Sequence, residues 1–556
     1  MKHDTIRATV SPETISKVTR LFNGTIGDIL NELLQNARRA GASGVDVDAM
    51  PVENGLRVTI ADDGCGIDDP ARVLALGASR WDAAVANGED PAGMGIFSLA
   101  GKPARIESRT ENAITGWSIE IPADAWTGER DIAVRTTEIS HGTSIQFDVE
   151  GIHDGTLEHE LAEAAKFFPL PVRFRGREKP RQDFLAGAHH IETWNGSRIG
   201  IFKGRPYHRT PTVNFHGLTL FANLFIVSQI GVEQLHAKVD IGATPELQLV
   251  LPARKEFVDN AGLAALKKAC EIACYRALAH EGKHSLAFED YERARKLGVE
   301  LPEAEACLNG WEPDIADGDT GTEAGERREI TGDEFLMDDH DAHFGQAIAR
   351  ALANNPLREK LVSRKRGFEG YSWYDELREF SEPIFLVTAG GITHRVDAIA
   401  AEPPLQTVTE AETIHLEFAI DEQGGRTAER ESVNADLVFT FPDGCCSDGL
   451  DDITIAFVRS ETLTPDTLVD ILDNACFSPW NDSEADSWDT QHDRFLRDAR
   501  ELAYRILIDE NAAIASQFRD AVARIMWALP KGKRVEIAFT HDSPIAVEVS
   551  DLPETN

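Results

Sequence analysis

The residues best placed to do chemistry lie in Glu32-Leu33-Leu34-Gln35-Asn36. Glu32 and Asn36 are one helical turn apart, so both project from one face. A carboxylate and an amide so arranged can work together, one orienting or deprotonating a water and the other holding a metal ion. Taken singly, the pair is ordinary on an amphipathic helix. Further on, Asp62 ends a strand-like run and leads into Asp63-Gly64-Cys65-Gly66. Two glycines one residue apart let the backbone approach a flat ligand, and Asp62 is placed to accept a hydrogen bond from an exocyclic amine. Gly93-Met94-Gly95 opens what reads as a helix, whose first N–H groups form an anion site. The polar loop before it (87–91) has the makeup of a lid.

These groups need elements to carry them. Leu30, Leu33, Leu34 and Ala37 fall at i, i+3, i+4 and i+7, the apolar stripe of a buried helix beside the Glu32–Asn36 face. Residues 44–48 and 56–61 alternate apolar and polar around Asn54-Gly55, which predicts a β-hairpin ending at Asp62. His141-Gly142-Thr143 reads as a turn entering a strand.

The order is specific: Glu-x-x-x-Asn on a helix, Asp-x-Gly-x-Gly after a strand, Gly-x-Gly before a helix and Gly-Thr before a strand, all in residues 20–150. It resembles the GHKL (Bergerat-fold) ATPase superfamily. The resemblance implies an α+β sandwich that binds ATP with Mg²⁺, with Glu32 as general base and Asn36 as metal ligand. It further implies that Asp62 reads the adenine amino group, that Gly64 and Gly66 support the adenine site, and that Gly93, Met94 and Gly95 lie at the lid and phosphates. Thr143 would bond Asp62 and the base through water. Ser79 and Arg80 resemble the Ser-Lys that starts the lid in MutL-like members. One position departs: where relatives carry Asp three residues after the Asn, this chain has Arg39. That substitution bears on the site network and on turnover more than on nucleotide binding.

The expected organisation is an ATP-binding domain over 1–155, a transducer-like α+β domain over 156–285, an acidic linker over 286–345 and a C-terminal α+β domain over 346–556. Residues 249–258 resemble the basic segment of a MutL-like transducer, which would place Arg254, with Lys255 beside it, where a cation senses the γ-phosphate. The run 172–181 is basic with aromatic neighbours and reads as a charged strand edge before it reads as a nucleic-acid contact. The stretch 300–341 is dominated by Asp and Glu. Cys270/Cys274 and Cys445/Cys446 lack a matching second ligand pair, so they read as small hydrophobes rather than metal ligands.

The net charge of −38 and pI near 4.8 argue against a nucleic-acid-coating protein or a binder of anionic membranes. Seven cysteines without framework spacing fit a reducing compartment, and with no signal-peptide pattern or apolar run long enough to span a bilayer the expected location is the cytoplasm. The leading expectation is a slow ATPase working as a nucleotide-gated clamp on a protein client or as an ATP-dependent homodimer. DNA is disfavoured by net charge, although one basic groove would suffice. Two other classes fit the same motifs: a protein kinase of this superfamily, and a non-hydrolysing ATP-dependent scaffold.

Overall fold

The computed structural model describes residues 25–74, 95–127, 130–206, 210–242, 247–250, 256–317, 325–422, 426–441, 450, 453–480 and 485–551. The chain divides into two compact units, Met1–Ala304 and Glu305–Asn556.

In the first unit, helix α1 (Ile26–Arg39) begins at Thr25, whose hydroxyl accepts the Asp28 N–H while the Asp28 carboxylate accepts the Thr25 N–H. Such reciprocal capping satisfies two amides that a helix start leaves without partners. Ile29, Leu30, Leu33, Leu34 and Ala37 are buried, as the predicted stripe requires. The predicted hairpin is β1 (Val45–Val52) and β2 (Gly55–Asp62), paired from Val45↔Asp62 to Val52↔Gly55. Val45, Val47 and Ala49 turn inward and Asp46 and Asp48 outward, the period-2 pattern of a strand with one wet face.

Six further strands complete the sheet: β3 (Ala104–Arg109), β4 (Gly116–Ile121), β5 (Val134–Thr137), β6 (Gly142–Glu150), β7 (Val172–Phe174) and β8 (Arg177–Glu178), in the order β5-β4-β3-β6-β2-β1-β7-β8. The sheet therefore runs past residue 155, the expected domain limit. Helix α2 (Asp154–Ala165) shares its core with α1, and β7 returns parallel to β1. The basic run here is neutralised locally: Arg175 pairs with Asp154 at 2.9 Å, Lys179 with Glu158 at 2.5 Å and Arg173 with Asp46 at 3.5 Å.

A second sheet, with its own core, contains β9 (His190–Trp194), β10 (Ser197–Lys203), β11 (Val213–Phe215), β12 (Leu218–Leu220), β13 (Ile226–Gln229) and β14 (Val232–Ile241). Its order is β12-β11-β14-β10-β9, with β13 also on β14. Helix α3 (Ala261–Glu281) packs into that core, burying Cys270 and Cys274. Burial holds the Cys270 thiol up at about 12, the behaviour of an inert apolar residue.

The segment expected to be a linker carries structure: α4 (Phe288–Lys296), strands Cys307–Asn309, Arg327–Glu329 and Glu334–Met337, and α5 from Ala342. Composition misleads here because Leu301, Leu308, Phe335, Leu336 and Met337 are buried between the acids, and two of the acids, Asp317 and Glu334, are buried with them.

The second unit is built on Arg378–Ala389, which pairs parallel with Glu334–Met337 and antiparallel with Thr413–Glu422. Its core also takes in helices Ala342–Asn354, Pro465–Cys476 and Trp488–Leu507. Arg350 forks onto Asp436 at 2.9 and 3.2 Å within this packing. The helix Trp488–Leu507 ends at Ile508, and a second helix, Glu510–Ala523, follows. The hairpin Lys533–Ala538/Ala546–Asp551 exposes Val535, Ile537, Val547 and Val549. Among the described residues no helix is long and apolar enough to cross a membrane.

These burials predict unequal tolerance to substitution. Leu33→Ala should destabilise the first unit by about 2–5 kcal/mol, whereas Ile537→Ser on the exposed hairpin should change stability by less than about 0.5 kcal/mol. Urea unfolding midpoints of the two variants check this.

Candidate functional site

The loop after β2 is docked on the C-terminal end of α1. The Cys65 N–H donates to the Ala40 carbonyl at 2.8 Å. Gly64 fits beneath it: a Cβ there would lie 2.6 Å from the Ala40 Cβ and 2.9 Å from the Ala40 oxygen. Gly66 has φ +73°, and a Cβ would come within 2.3 Å of the Arg109 carbonyl oxygen. Both glycines are thus required by close backbone approach. The contact sets Asp62, Gly64 and Gly66 beside the helix that carries Glu32 and Asn36.

Asp62 pairs across β2 and β6 with Thr143. One of its oxygens, Oδ1, accepts the Gly64 N–H at 2.9 Å. Burial, only partly offset by that bond, pushes the carboxyl up to about 6. A carboxylate removed from water in this way gains from any N–H donor brought to it. Asp63, its neighbour, is turned away and held below the usual carboxylate range by the Ser43 hydroxyl and backbone N–H.

Sequence reasoning missed Ser108. It is fully buried, lies 2.9 Å from the Gly142 carbonyl oxygen and 3.0 Å from the Thr143 hydroxyl, and accepts the Ile67 N–H at 2.8 Å. The Trp117 indole N–H clamps the same segment by donating to the Ile67 carbonyl at 2.7 Å. The Thr143 hydroxyl therefore faces Ser108, which joins β3 and β6 to the glycine loop. A serine in a short alternating strand carries no local mark of this role; only the cross-strand register β3–β6 puts it opposite Thr143.

On α1, Glu32 and Asn36 are half-buried. Asn36 Oδ1 accepts from the Arg39 guanidinium at 3.4 Å. The oxygen expected to bind Mg²⁺ thus already faces a cation, and as arranged the residues present do not fit a resident metal ion there. Gln35, buried between its neighbours, donates through Nε2 to the His216 carbonyl at 2.6 Å. His216 and Gly217 form the β11–β12 turn, with φ +54° and +103°, and the Asn214 side chain accepts the Gly217 N–H at 2.8 Å. A Cβ on Gly217 would lie 2.9 Å from the Phe168 Cα. The second sheet thereby touches the Glu32 helix through one buried amide.

The remaining expectations fall unevenly. Gly95 begins a short 3₁₀ helix, Gly95–Leu99, where a helix was expected. Ser79, Arg80, Gly93, Met94, Arg254 and Lys255 lie outside the described residues.

No protein-family model matches the chain, and no curated protein matches it. Among solved structures it is similar to the MutL ATPase domain of Aquifex aeolicus complexed with ADP, at 17% identity over 35% of this chain and 83% of that one, with a TM-score of 0.24. A crystal structure of the ATPase domain from the bacterial mismatch repair endonuclease MutL of the same organism is similar at 17% identity over 36% of this chain and 80% of that one, with a TM-score of 0.23. Likeness of that degree assigns no role to any residue here.

The Asp62 environment predicts a pH dependence of stability. With its native carboxyl at about 6 and its unfolded one in the ordinary range, Asp62 contributes stability at low pH that is lost as pH rises through about 6. Above that, charged Asp62 costs on the order of 3 kcal/mol, so Asp62→Asn should raise the melting temperature of the unliganded protein at neutral pH but not at pH near 4. Equal melting temperatures for the two proteins at neutral pH would contradict the assignment.

Proposed function

We infer that the first unit is an ATP-binding, GHKL-type module that hydrolyses ATP slowly and passes its nucleotide state to the neighbouring sheet. The observation that carries this reading is the docking of the Asp62–Gly66 loop on the end of α1, which gathers a buried carboxylate, a glycine-lined wall and the Glu32–Asn36 face. Three separated stretches of sequence are joined there, α1, the Asp62–Gly66 loop and the start of β6 at Thr143, in the order that makes the chain resemble that superfamily.

Asp62 would accept the adenine amino N–H, with Gly64 and Gly66 leaving room for the flat base. Thr143, steadied by Ser108, would complete the polar end of that pocket. Glu32 would take the proton of an attacking water, a role that needs a carboxylate within hydrogen-bond reach of that water. The buried Gln35–His216 bond supports a mechanical link, since any shift of α1 is felt at the β11–β12 turn. A clamp or chaperone-like action on a protein client, or on a second copy, is the use this link would serve. Arg254 would report the γ-phosphate.

Isothermal titration calorimetry with ATP tests the binding, and absence of heat at any metal concentration would end the reading. Glu32→Ala should keep ATP affinity while phosphate release falls by roughly two to four orders of magnitude. Label retained on the protein from γ-labelled ATP would instead favour a kinase. Affinity should also fall about tenfold per pH unit below about 6, because the protonated Asp62 carboxyl no longer attracts the amine.

A further inference from the structure

Glu32, Asn36 and Arg39 fall at i, i+4 and i+7 of α1, so a carboxylate, an amide and a guanidinium line one face of the helix. Of the two adjacent arginines, Arg38 is turned aside, its Nε donating to Gln35 Oε1 at 3.2 Å. Arg39 stays on the site face and reaches back to Asn36 Oδ1 at 3.4 Å. It is also the residue next to Ala40, whose carbonyl holds the glycine loop. The guanidinium is thus held against the amide oxygen, on the residue that precedes the helix end where the glycine loop docks.

We propose that this site takes its nucleotide without a divalent cation, the Arg39 guanidinium supplying the positive charge that a metal on Asn36 would otherwise bring to the phosphates. A guanidinium presents a fork of N–H donors matched to phosphate oxygens and keeps its charge at every working pH. It sits in the last turn of α1, where the helix dipole favours a cation. A dication bonded to Asn36 Oδ1 would meet that charge at close range, and Coulomb repulsion opposes holding both there. The class of ligand is then a free nucleoside di- or triphosphate rather than its magnesium complex. The proposal rests on the nucleotide reading of the site and adds to it the identity of the counter-charge.

The test is calorimetric titration of the full chain with ADP, once in excess EDTA and once in millimolar magnesium chloride, for wild type and for Arg39→Asp, with melting curves confirming that the variant folds. Wild type should bind with affinities within about threefold of each other in the two buffers. Arg39→Asp should bind about tenfold or more weakly in EDTA and recover with magnesium, a difference of about 1.4 kcal/mol or more between the two buffers. Wild-type affinity that collapses in EDTA, or a variant as indifferent to magnesium as wild type, overturns the proposal while leaving a nucleotide site in place. No binding by either protein in either buffer removes the nucleotide reading itself.

Discussion

One backbone hydrogen bond organises the candidate site: the Cys65 N–H on the Ala40 carbonyl. A helix end leaves its last carbonyls without intrahelical partners, and here one of them is satisfied by the loop that leaves β2. Because Gly64 lies against Ala40 at a distance no side chain would permit, helix and loop approach as closely as backbones can. Sheet register aims Asp62 and buries Ser108, and this approach brings them to α1. Loosening it would separate the Glu32 face from the Asp62 wall without breaking either element.

The charges of the first unit are spent in a consistent way. Cations of the 172–181 run are matched to carboxylates of α2 and β1, so that face of the sheet presents little free positive charge despite its composition. Asp62 is the opposite case, a carboxyl whose burial lifts it to about 6 because only one backbone N–H answers it. Free energy held in an uncompensated acid becomes available to a ligand that brings a donor. On the α1 face the Arg39 guanidinium is turned to the Asn36 amide oxygen.

Between the two sheets of the first unit, polar bonds hold the turn where Gly217 packs against Phe168. Gln35 meets the His216 carbonyl, and Asn214 holds the turn by accepting from Gly217 and donating to the Phe167 carbonyl and to Asp240. A carbonyl buried at such a junction needs its donor, so the link is sensitive to small displacements of α1. An apolar contact of the same size would slide; this one has a preferred register.

Much of the site was legible in the amino-acid order. The α1 stripe, the β1–β2 hairpin and the Asp-x-Gly-x-Gly turn are local, set by period 3.6, period 2 and glycine's access to left-handed backbone, and each stands where its pattern predicted. The reach of the first sheet to β8 and the structured segment between 286 and 345 were not legible, because each depends on partners far along the chain. Ser108 and Gln35 belong with these: nothing in their neighbours marks them, and only β3–β6 register and the approach of the β11–β12 turn give them partners. The sequence by itself determined which side chains share a helix face or follow a strand, since those follow from backbone geometry. Tertiary structure alone decided that Asp62 is buried, that Arg39 turns to Asn36 and that α1 is tied to a second sheet, because burial and pairing are properties of the space between elements rather than of any one of them.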